Sequence, residues 1–231
     1  MIPANGILSA ATSVVRGVAR AIGHRASSAS AAGLLEIREY TLEPKGIKAF
    51  NALTADYVGL RTSLLPLLGF FACDTGGVLN RVVHLYHYRD HDHRDACRRA
   101  AAQSQEWQND YLANSRLHVS MQASSMYVAA TDLLTSLGRE DAMAAPKASQ
   151  GGVYELQHYS LAGSVSARAV YDALGASTTD VGREREVVEL WRWPSSSTRF
   201  QARQSGETAL PPGVSSVSSA QLVPVPYSPW Q

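Results

Sequence analysis

The residues able to do chemistry concentrate in one short stretch, residues 80–99, which read NRVVHLYHYRDHDHRDACRR. This stretch holds four of the seven histidines of the chain: His84, His87, His91 and His93. Imidazoles bind a metal ion only when several converge on one point. On a strand, His84 and His87 are three residues apart and point to opposite faces. At a helix start, His91 and His93 are two residues apart and point to different sides. The spacing therefore predicts no metal site.

Alternation along the predicted strands defines a second kind of candidate site. One face of residues 81–88 carries His84 and Tyr86, and the opposite face carries Val83 and Leu85. We expect the more apolar face to meet the helices and the polar face to look into the space between two sheets. The same alternation in the other strands predicts ten residues in that inner space: Glu36, Arg38, Tyr40, His84, Tyr86, Glu155, Gln157, Tyr159, Glu189 and Trp191.

Two hypotheses explain such an inner set. Unpaired buried charge is costly, so these groups must pair with one another or face water or a ligand. The first hypothesis is a hydrogen-bonded Glu–Arg–Tyr–His network that fixes the register of the strands. The second is a ligand pocket around His84 and Arg38, because aromatic and ionisable groups in a concavity are typical of binding sites.

Motifs for covalent or phosphate chemistry are absent from the sequence. No GxSxG elbow, glycine-rich phosphate loop, HExxH motif or Cys–His pair at a known spacing occurs. Cys73 and Cys97 lack the number and spacing of a zinc cluster and are expected to be free thiols. The sequence thus favours binding over catalysis, with no catalytic residue and no cofactor expected.

The first 33 residues differ in composition from the rest. They contain Arg16, Arg20 and Arg25, and no Asp or Glu precedes Glu36. Apolar residues recur there at helical spacing, at Ile7, Ala11, Val14, Val18 and Ile22. A helix that is basic on one face and apolar on another is typical of a mitochondrial presequence, whereas a secretory signal needs a longer unbroken apolar stretch. We expect residues 1–33 to be a presequence and the protein to be mitochondrial, with a disordered Ala/Ser arm as the alternative.

Charge and hydropathy exclude two classes of partner for the rest of the chain. Three of the 21 basic residues lie in residues 1–33 and all 20 acidic ones lie beyond, which leaves 18 basic and 20 acidic side chains, a formal net charge of −2. Such a balance does not provide the broad positive surface that nucleic acids require. No apolar run approaches the roughly 18 residues of a membrane-spanning helix.

The chain also repeats itself. Two pairs of segments resemble each other: residues 34–42 with 152–161, and residues 81–88 with 186–193. The arginines that follow each second segment also match, Arg94 with Arg199 and Arg98 with Arg203. Glu36 aligns with Glu155, 119 residues further on, whereas Val82 aligns with Val187, 105 residues further on. We therefore expect two copies of one domain, the second shorter by 14 residues between these strands.

Within the first copy, the pattern predicts the order β-α-β-β-α-β. Strands interrupted by two helices, with neighbouring strands joined by a hairpin, are typical of a ferredoxin-like α+β unit. Two such sheets packed face to face would hide the sheet face that the helices leave bare. The resulting division of the chain is residues 1–33 presequence, 34–130 first domain, 131–151 linker and 152–231 second, shortened domain.

An ordered series of motifs resembles one known family. The motifs are EIREYTLEP, LRTS, LLGFF, GGVLNRVVHLYHY, HR, RRA and EWQ. In this order they resemble the first domain of NIPSNAP proteins over residues 34–130, and the similarity continues more weakly through residues 152–161, 186–193 and the terminal LVPVPYSP. The resemblance implies two tandem copies, the fold of the dimeric α+β barrel superfamily and a mitochondrial location. It also implies partners, since some members bind autophagy machinery on damaged mitochondria or are tied to vesicle traffic.

The sequence departs from the family pattern in three places. Its second copy is short, Tyr86 stands where the family often has tryptophan, and Glu189 stands where the first copy has His84. These differences argue against a function that needs two equivalent sites.

Three functional hypotheses follow. The leading one is a mitochondrial NIPSNAP-domain protein that acts through protein partners, as a homo-oligomer or within a mitochondrial complex. The second is a small-molecule binder or enzyme of the α+β barrel superfamily with a pocket around His84 and Arg38. The third is a structural subunit of a mitochondrial complex.

Overall fold

The structure is a computed structural model that describes residues 33–128, 152–161, 177–181, 186–204 and 213–231. The expected presequence, apart from Gly33, and the expected linker, residues 131–151, lie outside the described residues.

Eight strands and four longer helices form the described part of the chain. The strands are β1 Leu34–Leu42, β2 Leu67–Thr75, β3 Arg81–Tyr88, β4 Val119–Val128, β5 Val153–Leu161, β6 Ser177–Val181, β7 Glu186–Trp193 and β8 Val214–Pro224. The helices are α1 Ile47–Asp56, α2 Val58–Leu64, α3 His91–Gln103 and α4 Ser196–Gln204. A π-helix, Glu106–Leu112, a helical turn, Ala113–Ser115, and two 3-10 turns, Pro44–Gly46 and Arg116–His118, complete the inventory. The β-α-β-β-α-β order predicted for the first copy is confirmed.

The eight strands close into one antiparallel barrel in the order β1-β3-β2-β8-β5-β7-β6-β4. In each half the first strand is central. It pairs on one side with the second strand of the hairpin and on the other with the last strand of that half. The halves join where β2 pairs with β8 and β4 pairs with β6. Each half therefore has the strand order of a ferredoxin-like unit, and the two units complete each other because every sheet edge needs a partner.

The barrel interior holds the apolar faces of the strands, opposite to our expectation. One cluster joins residues from both halves: Ile37, Phe71, Val83, Leu85, Tyr127, Tyr154, Leu156, Val188 and Leu222. Since β1 and β5 lie on opposite sides of the barrel, a cluster drawn from both fills the interior. The prediction that the polar face looks between the sheets is therefore wrong. The apolar faces of the strands meet in the interior, together with Trp230 of the C-terminal segment, whereas the helices bring charged side chains to the outer face.

Helices cover the polar outer face of the first sheet. Tyr86 and Tyr88 of β3 pack there with Trp107 and Tyr111 of the π-helix. The spacing of four residues lets the Trp107 and Tyr111 rings stack, with centroids 4.7 Å apart. Asp90 caps the start of helix α3, because its side chain accepts a hydrogen bond of 2.7 Å from the backbone N–H of His93. These elements place the helix-borne side chains over the sheet.

The orientation of the strands predicts how two leucines respond to truncation. Leu85 is 1% exposed in the barrel interior, whereas Leu79 is 70% exposed in the β2–β3 connection. We expect Leu85→Ala to lower the free energy of unfolding by about 2–5 kcal/mol through lost burial and a residual cavity. The matched change Leu79→Ala should cost less than about 0.5 kcal/mol. Urea denaturation measures both, and a small effect of Leu85→Ala would contradict its burial in the core.

Candidate functional site

A buried carboxylate holds the first sheet to helix α3. Glu36 of β1 is fully buried and accepts hydrogen bonds from the Nε of Arg38 at 2.8 Å, from the Nε of Arg94 at 3.1 Å and from the Oγ of Ser124 at 2.8 Å. Arg94 lies on α3, so this ion pair joins the sheet to the helix that covers it. Burial alone would raise the pKa of Glu36, but the charge of Arg38 and the hydrogen bonds of Arg94, Arg38 and Ser124 lower it to about 2.

The second half repeats the arrangement with helix α4. Glu155 of β5 is fully buried and accepts hydrogen bonds of 2.7 Å from both Arg199 and Arg203 of α4. The indole N–H of Trp193 donates to its other oxygen at 3.1 Å. Burial acts to raise the pKa of Glu155, and the two arginines outweigh it and lower the pKa. Arg199 thus stands where the sequence alignment matched it to Arg94, on the helix over the central strand.

A second cluster, which we call the Arg61 cluster, consists of Arg61, His84, Tyr86 and Tyr111. Arg61 of α2 is 3% exposed and its guanidinium donates to the hydroxyls of Tyr86 and Tyr111. The Nη1 of Arg61 lies 3.3 Å from the Nδ1 of His84. The cluster therefore lies between α2, the π-helix and the outer face of β3. His84 and Tyr86, which the alternation of the strands predicted, contact Arg61 there, which it did not predict.

Aromatic rings enclose this cluster. The guanidinium carbon of Arg61 lies 5.4, 5.2 and 5.0 Å from the ring centroids of Phe70, Trp107 and Tyr111. The His84 ring stacks on Phe70 at 4.0 Å and lies 4.6 Å from Tyr40. Burial and then the charges of Arg61 and Arg38 hold the pKa of His84 well below its usual value, so the imidazole is neutral at physiological pH.

Sequence reasoning missed Arg61, although a signal for it exists. Arg61 follows Tyr57 by four residues, which places it on the same helical face as the apolar residues that we expect to meet the sheet. A charged residue on a face of this kind must find a partner below it.

The second half has an acid where the first half has this imidazole. Glu189 accepts hydrogen bonds from the hydroxyl of Tyr159 at 2.7 Å and from the indole N–H of Trp191 at 2.9 Å. Burial raises the pKa of Glu189, which these hydrogen bonds offset only in part. The Tyr159 hydroxyl also lies 2.5 Å from Oε1 of Gln157. The structure thus brings the predicted residues together in one group per half, on the outer face of the sheet, and the two groups differ in charge.

A small, partly open cavity of about 60 Å³ lies on the inner side of the barrel wall. Its lining includes Glu39, Cys73, Arg81 and His158, none of which belongs to the predicted set. Glu39 and Arg81 pair across it at 2.7 Å, and burial raises the pKa of the Cys73 thiol. Among the described residues, no group of three His, Cys, Asp or Glu side chains has a geometry that could hold a metal ion.

The fold and these sites define an α+β barrel protein built from two ferredoxin-like units. A monooxygenase-like protein from Fusobacterium nucleatum has this fold, with a TM-score of 0.56 over 85% of the present chain and 94% of its own, at 9% identity. At that identity the likeness shows the fold alone.

Sequence comparison defines the family more narrowly. The NIPSNAP family model matches residues 35–133. Protein NipSnap homolog 3B of Mus musculus is 29% identical over 219 residues, which cover 84% of each chain. Protein NipSnap homolog 3A of Homo sapiens is 27% identical over 218 residues, again 84% of each chain. Residues 35–133 thus resemble the NIPSNAP family, as the motifs predicted, and the two relatives extend the similarity to 84% of the chain.

The ion-paired carboxylate of the first half predicts a pH dependence of stability. The folded-state pKa of Glu36 is about 2, below its usual value near 4.5. The resulting stabilisation, about 3 kcal/mol, is present above pH 4.5 and is lost as the pH falls through the folded-state pKa. We expect Glu36→Gln to lack this contribution, so its unfolding free energy falls less steeply with acid than that of the wild type.

Urea denaturation at a series of pH values measures the two slopes. Glu106, an exposed glutamate of the π-helix, provides the matched control, and Glu106→Gln should follow the wild-type curve. Parallel curves for Glu36→Gln and the wild type would show that the carboxylate gains nothing from its arginines.

Proposed function

We propose that this NIPSNAP protein is mitochondrial and acts by binding other proteins through one end of its barrel. The single observation that carries the proposal is a group of exposed apolar side chains at that end: Val78, Leu79, Leu117 and Met121, which are 39%, 70%, 73% and 56% exposed. Large apolar side chains gathered on a surface mark interaction sites, whereas isolated ones need no explanation. We call this group the apolar end.

Backbone contacts support the grouping of these four residues. The backbone N–H of Leu42, at the end of β1, donates to the carbonyl of Asn80 at 2.8 Å, directly after Leu79. The next N–H, of Glu43, donates to the carbonyl of His118 at 2.9 Å, directly after Leu117. Since β1 lies between β3 and β4, the two leucines flank the same end of one strand. Met121 continues the group, because it pairs with Thr41.

The internal polar groups support binding at the surface over chemistry within. Arginines of the covering helices form ion pairs with Glu36 and Glu155, and Tyr159 and Trp191 donate hydrogen bonds to Glu189. These carboxylates are buried or nearly so and pair with side chains of the same half. Glu36 and Glu155 hold helices on sheets, and Glu189 joins β5 to β7, which leaves the outer surface to meet partners. In the part of the chain that is described, no helix is long and apolar enough to span a membrane.

Partners of this kind fit a homo-oligomer or a mitochondrial complex. The resemblance to NIPSNAP proteins points to mitochondrial quality control or vesicle traffic as the setting. The division into a first domain, residues 34–130, and a second, shortened domain, residues 152–231, belongs to the same proposal, and the equal strand order of the two halves supports it.

The mitochondrial location rests on the basic, acid-free composition of residues 1–33. We expect these residues, fused to a fluorescent protein, to direct it into mitochondria. Replacing Arg16, Arg20 and Arg25 by glutamine should leave the fusion in the cytosol, because import of such helices depends on their positive face. Microscopy and protease protection of isolated mitochondria measure the outcome, and a cytosolic wild-type fusion would contradict the location.

The apolar end predicts the effect of two surface substitutions. We expect Leu79→Ser with Leu117→Ser to remove the protein from the larger species with which it migrates on native gels of mitochondrial extracts. Phe200 provides the control, since it is 61% exposed on α4 and is not part of the apolar end, and Phe200→Ser should leave migration unchanged. Thermal unfolding of each variant shows that the fold is intact.

Two results of this experiment would contradict the proposal. One is a wild-type protein that migrates as a free monomer, and the other is a double variant that keeps its partners. A complex that falls apart when the protein is removed, with all other subunits released, would indicate the structural-subunit alternative.

A further inference from the structure

Arg61 is a buried cation with no anion beside it. In the described residues, each ion pair of a buried glutamate involves another basic residue, and no Asp or Glu pairs with Arg61. Its partners are the neutral groups His84, Tyr86 and Tyr111 and three aromatic faces. A buried charge without a counter-charge is costly, and hydrogen bonds to neutral groups offset only part of that cost.

The Arg61 cluster also has more hydrogen-bond donors than acceptors. A guanidinium only donates, so Nδ1 of the neutral His84 must be the acceptor and the ring proton must lie on Nε2. That Nε2 is buried and, among the described residues, has no hydrogen-bond partner. The same holds for Nε of Arg61. The Tyr86 hydroxyl accepts from Arg61, and no acceptor among the described residues receives its own proton.

We propose that the Arg61 cluster binds a small monocarboxylate anion. A carboxylate supplies the negative charge that Arg61 lacks and up to four acceptor positions for the unused donors. Its planar shape matches the guanidinium fork. The rings of Phe70, Trp107 and Tyr111 enclose the guanidinium, with centroids 5.0–5.4 Å from its carbon, so a bound anion would be shielded from solvent.

The charge of the cluster favours a single carboxylate over a phosphate or a dicarboxylate. His84 is neutral, so Arg61 contributes one positive charge, which a monoanion balances. Arg38 lies nearby, but its Nε is already paired with Glu36 at 2.8 Å. A doubly charged ligand would therefore carry an uncompensated charge into a buried site.

The described strands of the second half differ at three of the matching positions. Glu189 occupies the position of His84, Trp191 that of Tyr86, and Gln157 that of Arg38. At the position of His84, a carboxylate ligand would face the side chain of Glu189. It would be repelled by that carboxylate or would lack the hydrogen-bond donors that the first half provides. We therefore expect one anion per chain, bound in the first half.

Titration of the full chain with sodium formate at pH 7 tests the proposal, with sodium chloride keeping the ionic strength constant. We expect the melting temperature to rise saturably, by about 5 °C at a formate concentration on the order of 100 times the dissociation constant. Isothermal titration calorimetry should give one formate per chain. Arg61→Met should weaken binding at least about tenfold, because it removes the charge.

Two further variants keep the test decisive. Tyr86→Phe removes one hydroxyl with little change in shape, so it reports on the site if Arg61→Met does not fold, and it should weaken formate binding several-fold. Arg116→Met makes the same change as Arg61→Met at an exposed position and should bind formate like the wild type. Stabilisation by chloride equal to that by formate, equal affinities in Tyr86→Phe and the wild type, or no saturable formate effect in the wild type would each overturn the proposal.

Discussion

A charged side chain on the outer face of a sheet must be neutralised by the helix that covers it, and this constraint governs both halves of the protein. Glu36 and Glu155 occupy the central strands, and both are fully buried. Arginines of α3 and α4 reach down to them, so each helix is tied to its sheet by charge as well as by packing. A buried charge that loses its partner is costly in a medium of low polarity. The helices are therefore restricted to positions in which their arginines reach the glutamates.

Closure of the barrel imposes the complementary requirement. No helix of the described residues reaches its interior, which is filled mainly by apolar side chains of the strands, such as Ile37, Val83, Leu85, Leu156 and Val188. The two halves depend on each other for this core, since either sheet alone would expose its apolar face to water. The helices then provide an environment in which polar strand residues find donors and acceptors.

Much of this organisation could be predicted from residue patterns. Alternation along residues 81–88 sorted the side chains correctly into two faces, and the matching positions of Arg94 and Arg199 correspond to equivalent ion pairs. The pattern did not reveal which face lies inside. Both faces are buried in this fold, one by strands and one by helices, so the usual rule that the apolar face meets the helices does not apply.

Arg61 escaped sequence reasoning for a different reason. Its partners are tyrosines and a histidine separated from it by 23 to 50 residues along the chain. The sequence therefore shows no local pairing of charges that would predict the cluster. Only the fold brings α2, β3 and the π-helix together around it. The two halves are unequal at this site, since Glu189 stands at the position of His84 in the second half. The halves share a strand order, and the Arg61 cluster belongs to the first of them.

Nuclear Overhauser contacts between the halves test the orientation of the strands most directly. With the apolar faces inside, we expect contacts from the methyl groups of Leu85 and Val83 to those of Leu156 and Val188, across the barrel interior. We also expect the Tyr86 ring to contact Trp107 and Tyr111 of the π-helix. Contacts between Tyr86 or His84 and Trp191 or Glu189 would instead place the polar faces inside the barrel and contradict the account.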